Sequence, residues 1–204
     1  MDSQPLRLVL LDCPAEVSRP FIPGHLYVAV AIEIDGTLSL VTDDDLDDLG
    51  LTLDEAFDVA WTALRQGSPA ADLREVDTLP DLKVYDARDG LASSRMAVLP
   101  QILDPMPLGG VVVAVPEPDE FLCAPMESAA SIDGLQSLAS ALGHFESTRD
   151  GLLSDQLFWY DGVEWHVIPV DHGSEDITVN PPEAFVRMMS RLASVDWVQV
   201  AGEA

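Results

Sequence analysis

The chain offers few residue types that do chemistry. There are four histidines, His25, His144, His166 and His172, and two cysteines, Cys13 and Cys123. The stretch HVIPVDHG gathers His166, Asp171 and His172, with Glu164 just before it, and a metal can be imagined among them. His166 alternates with Trp165 on a strand-like run, however, and no helix carries HxxxH or HExxH spacing, so neither a metal nor another cofactor is expected. GxSxG, GxGxxG and a P-loop are absent, which removes the sequence signs of a hydrolase elbow, a dinucleotide fold and a nucleotide cradle. Cys123 lies inside an apolar run where a thiol is more often inert. Both cysteines, far apart and outside any CxxC, are expected to behave as small buried hydrophobes.

Charge is the outlying property. Against 36 acidic residues stand 10 basic ones, of which Lys83 alone is a lysine, giving a formal charge of -26. Nucleic acid and anionic membranes need Lys and Arg to displace counterions, so neither is an expected partner. A basic protein is, because opposite charge speeds encounter. The competing explanation is plain solubility, or an acidic habit shared by the proteins of a high-GC bacterial source. The densest acidic run is Asp43, Asp44, Asp45, Asp47 and Asp48. It lacks the alternating ligands, sixth-position Gly and twelfth-position Glu of an EF-hand loop, and reads as a helix start favoured by the macrodipole. A partner could use the same surface.

The segment YDARDGLASSRMAVLP gathers Arg88 and Arg95 around the Asp89-Gly90 turn signal. Ser93 or Ser94 is a plausible N-cap with Arg95 in the first helical turn. An internal ion-pair corner is expected here rather than an anion site.

These residues must be positioned by an α+β scaffold. LRLVLLD and HLYVAVAIEID read as strands, followed by a hairpin across Asp35 and Gly36. Thr52 and Glu55 have capping-box spacing, and Leu53, Phe57, Ala60, Trp61 and Leu64 follow helical periodicity up to Gly67 as a C′ residue. The sequence between Gly67 and Pro80 reads as a polar connector, and LKVYD as a short strand. A helix is expected over Ser93–Leu103, with Pro100 kinking it or lying in its last turn. GGVVVAVP and EFLCAPM read as neighbouring strands, Ser131–Phe145 as a helix, and QLFWYDGVEWHVIPV as a hairpin across Asp161 and Gly162. A last amphipathic helix follows Pro181 and Pro182, with DWVQV as a final strand. The whole, residues 1–204, is expected to form a single domain with a mixed, largely antiparallel sheet and helices packed on it.

The helix pattern from Val41 to Leu64, DG…SSRMAVLP from Asp89 to Pro100, the strand from Gly109 to Ala124 and the hairpin from Ser154 to Ile168 resemble the YtpQ-like bacterial domain of unknown function. The resemblance covers about residues 37–169 and implies a cytosolic α+β domain without an assigned reaction. The first forty residues and the tail beyond His172 are individual to this chain.

A short, unrun-on apolar N-terminus fails as a signal peptide, so the cytoplasm is the expected compartment. The expected function is a non-enzymatic binding protein, most sharply an immunity protein that neutralises a bacterial toxin. Asp43, Asp44, Asp45, Asp47, Asp48, Trp159, Tyr160 and Trp165 are its expected contact residues, aromatics being frequent binding anchors. The alternatives are an accessory housekeeping binding domain, or an enzyme using His144, His166, Asp171 and His172.

Overall fold

Alternating apolar residues build the first sheet. The computed structural model describes residues 6–87, 89–148, 152–173 and 177–202. In it β1 (Leu6–Leu11) pairs antiparallel with β3 (Leu26–Ile34), Leu6 facing Ile32. β2 (Ser18–Ile22) and β4 (Thr37–Leu40) share the other edge of β3. The β3–β4 hairpin turns at Asp35 and Gly36, both at positive φ, as an Asp-Gly two-residue turn requires.

The second sheet has six strands in the order β10-β9-β7-β8-β6-β5, every pairing antiparallel. Its members are β5 (Leu73–Val76), β6 (Leu79–Asp86), β7 (Val111–Glu117), β8 (Glu120–Pro125), β9 (Leu157–Tyr160) and β10 (Trp165–Ile168). A separate pair, β11 (Val170–His172) and β12 (Ile177–Val179), follows. The helices are α1 (Asp43–Leu49), α2 (Leu53–Gln66), α3 (Leu99–Ile102), α4 (Ile132–Thr148) and α5 (Glu183–Gly202). The α+β architecture with a largely antiparallel sheet is thus as the sequence predicts.

The six-stranded sheet buries both faces. Val111, Val113, Val115, Phe121, Cys123 and Phe158 enter one core with Leu8, Val30, Phe57 and Met96. That core therefore joins the two sheets, with α2 and residues 92–102 filling the space between them. On the other face Val112, Ala114, Leu122 and Trp159 pack against Leu138 and Leu142 of α4 and Phe185 of α5. Period-two alternation sends adjacent residues of β7 into different cores.

Several local expectations are corrected. Residues 73–76 form an edge strand rather than a connector, with Arg74 and Glu75 exposed. Residues 93–98 are a 3-10 helix with Ala92 at the cap position and no side-chain cap, so neither Ser93 nor Ser94 is an N-cap. Pro100 falls not in a last turn but in the opening positions of α3, where its missing N–H is harmless. DWVQV continues α5 and is not a strand. Cys123 is buried, whereas Cys13 is exposed. No helix among the described residues is long and apolar enough to cross a membrane.

Candidate functional site

The acidic segment is two capped helices in series. Thr42 takes extended backbone angles and accepts the Asp45 amide, while the Asp45 carboxylate accepts from the Thr42 amide at 2.8 Å and its hydroxyl at 2.7 Å. Gly50, at φ 67, ends α1, and its amide and that of Leu51 return to the carbonyls of Asp47 and Leu46. Thr52 and Glu55 repeat the box at the start of α2. The Asp45 carboxyl is lowered by its bonds from the Thr42 side chain and backbone, and the Glu55 carboxyl by those from the Thr52 backbone and side chain. Both residues are committed to the fold.

Asp43, Asp44, Asp47 and Asp48 are not committed in that way. All four are exposed, and among the described residues none has a salt-bridge partner. Asp43 and Asp44 sit in the first turn, where the macrodipole favours them, but Asp47 and Asp48 sit in the last, where it opposes them and the turn holds no basic residue. The expectation that the whole run is favourable helix-start charge is therefore corrected for these two. Exposed Leu49, Leu53 and Val59 lie along the same helices.

The aromatic hairpin divides differently from the sequence reading. Trp159 is 3% exposed, donates its indole N–H to the Gly109 carbonyl at 2.8 Å and meets Phe185 edge-on. It is a core residue, so its expected role as a contact anchor is withdrawn. The backbone before β7 also lies close to the end of β9: a Cβ on Gly110, at φ 76, would overlap the Tyr160 carbonyl oxygen. Tyr160 and Trp165 pair across the strands with ring centroids 5.1 Å apart, and Phe21 meets Trp165 at 5.7 Å. Both are half-buried.

No family model, curated protein or solved structure matches the chain.

The Arg95 corner is an internal one. Arg95 is 6% exposed and forks onto the Asp89 carboxylate at 2.9 and 2.6 Å, while Nε and Nη2 donate to the Gly67 carbonyl at 3.3 and 3.1 Å. It thereby supplies a cation at the C-terminus of α2, in addition to Arg65 in the last turn. Gly67 itself has φ -91, so this helix ends without a left-handed residue, and the Ser68 hydroxyl bonds the Leu64 carbonyl. Gly90 does take positive φ and donates its amide to Asp119 at 2.6 Å. Arg88 lies outside the described residues. A cavity of about 300 Å³ adjoins the corner, but its two cations are compensated, Arg95 by Asp89 and Arg7 by Glu33. Burial pushes the Tyr85 phenol, beneath the Arg95 guanidinium, up to about 12.

The residues nominated for catalysis occupy different surroundings. His144 is exposed on α4. His172 on β11 faces Glu146 at 3.4 Å through Nδ1, while Asp171 beside it is exposed. His166 on β10 faces Asp161 at 3.2 Å and Glu164 at 3.8 Å. The metal-like group imagined from Glu164, His166, Asp171 and His172 is thus replaced by Asp161, Glu164 and His166. A turn brings Asp161 back toward its own hairpin, and the D-x-x-E-x-H spacing carried that signal. Neither thiol is activated: hydrogen bonding and charge from Asp12 raise Cys13, and burial pushes Cys123 up to about 12.

Proposed function

We propose that this chain is a non-enzymatic binding protein that engages a basic protein partner through the acidic face of α1 and the start of α2. The observation that carries the reading is the placing of Asp47 and Asp48. Anions in a last helical turn lower stability by about 0.3–1 kcal/mol each, so two side by side in a turn that holds no basic residue suit a role outside the fold. Leu49 and Leu53 add exposed apolar surface beside them, the combination expected of a contact patch with a charged rim. The sharpest form of the reading is an immunity protein that neutralises a toxin, since a nucleic-acid-directed toxin would itself be basic. Inactive thiols and internally compensated arginines support a binding rather than a chemical role.

The test is affinity capture from the source cells with the wild-type chain and with a variant carrying Asp44→Asn, Asp47→Asn and Asp48→Asn. A basic protein should be retained by the wild type, released by salt and lost by the variant. If its gene adjoins the gene for this chain and its product is toxic, the immunity form holds. Equal retention by both proteins would remove α1 from the interface.

A further inference from the structure

We propose that the tip of the β9–β10 hairpin is a binding site for a divalent transition-metal ion of the zinc type, held by Asp161, Glu164 and His166. One ligand atom from each lies within 4.8 Å of the other two. Metal–nitrogen and metal–oxygen distances of about 2.0–2.2 Å in a tetrahedral site put neighbouring ligand atoms roughly 3.3–3.5 Å apart. The His166 Nε2 is 3.2 Å from Asp161 Oδ2 and 3.8 Å from Glu164 Oε1, values on either side of that spacing. Glu164 is the exposed member, with its side chain 72% exposed and free to turn toward the imidazole.

Two of the three ligands are held in place beforehand. Asp161 uses Oδ1 to accept the amides of Val163 and Glu164 at 2.8 and 2.9 Å, which leaves Oδ2 facing the imidazole. The His166 ring stacks on Trp159 with centroids 4.9 Å apart and planes 28° from parallel, and Trp159 is itself fixed in the core. An isolated imidazole–carboxylate hydrogen bond would explain Asp161 alone. It does not explain a second carboxylate brought to the same nitrogen.

The donor set selects the metal. Imidazole suits zinc, copper and nickel, whereas calcium and magnesium prefer oxygen ligands throughout. Three protein ligands leave the fourth position to water or to a group from outside, the pattern of an open rather than a closed zinc site. This site is independent of α1, and neither its success nor its failure bears on the acidic face.

Zinc titrated calorimetrically into the chelator-stripped full chain is expected to bind with one equivalent, undisturbed by a tenfold excess of magnesium. His166→Ala and Asp161→Asn should each weaken that binding by at least about tenfold, since removal of even an outer partner costs about 10–100-fold. In Asp161→Asn the side-chain carbonyl can still accept the two turn amides, so its loss is not a loss of the hairpin; circular dichroism checks the fold. Glu164→Gln should weaken binding, and His144→Ala should not. Absence of saturable zinc binding, displacement by magnesium, or unchanged affinity in His166→Ala and Asp161→Asn would each overturn the proposal.

Discussion

The guanidinium of Arg95 and the carboxylate of Asp89 form a two-pronged pair, at 2.9 and 2.6 Å, whose cation is buried and whose anion is partly open to solvent. The same cation closes the last turn of α2 through Gly67. One side chain therefore ties the Asp89-Gly90 turn to a helix that feeds the core shared by both sheets.

Arg95→Ala is expected to destabilise the protein by roughly 2–4 kcal/mol, because it strands Asp89 and the Gly67 carbonyl together. Arg95→Lys should recover only part, since an ammonium cannot reproduce the fork. Urea unfolding of the three proteins measures this. A change below about 0.5 kcal/mol would put the corner outside the forces that hold the fold.

That pair also has a pH signature. Partial burial raises the Asp89 carboxyl, but hydrogen bonding and charge from Arg95, with the Leu91 amide, outweigh it and hold it below its ordinary 3.8. A carboxyl lowered by folding contributes stability that is complete above its unfolded value and is lost as pH falls through its folded one. The stability gap between wild type and Arg95→Ala should therefore be constant from neutrality to about pH 5 and shrink below about pH 4. Unfolding curves at several pH values give the gap; one that stays constant down to pH 2.5 would argue against the carboxylate as its source.

The aspartates of α1 should separate by position. Thr42→Ala breaks the capping box and should cost about 1 kcal/mol. Asp47→Asn and Asp48→Asn should each raise stability by about 0.3–1 kcal/mol by removing an anion from the last turn. If they slow partner association as well, with little change in dissociation, stability and binding oppose each other at these two positions. Thermal unfolding and binding kinetics at two salt concentrations distinguish the cases.

Trp159 and Trp165 should also part company. Trp159→Ala is expected to cost about 3–5 kcal/mol as a core truncation. Trp165→Ala should cost less, because its ring is half-buried against Tyr160 and Phe21. Equal losses in denaturant unfolding would mean that Trp165 is as deeply embedded as its neighbour.

Much of this was readable in sequence where a signal is local. Thr52 and Glu55 announce α2, and Asp-Gly pairs announce the turns at Asp35 and Asp161. The edge strand Leu73–Val76 was hidden because an edge pairs on one side only and needs no apolar run. DWVQV looked like a strand since a short apolar run does not separate strand from helix, and no Gly or Pro between Pro182 and Gly202 stops α5. Trp159 could not be told from Trp165 until α4 and α5 were known to cover the sheet, as each alternates on the same hairpin. Asp161 precedes the stretch that gathers His166, Asp171 and His172, and only the hairpin turn brings it back to His166.

Strand β7 lends Val111, Val113 and Val115 to one core and Val112 and Ala114 to the other. A slip of one residue in its pairing would exchange the two sets and misfit both cores at once. Neither can melt while the other keeps its packing along this strand, so the two sheets and the helices over them should lose structure in a single transition. The amides of β7 should then exchange with solvent only through global opening, and be the last in the chain to do so.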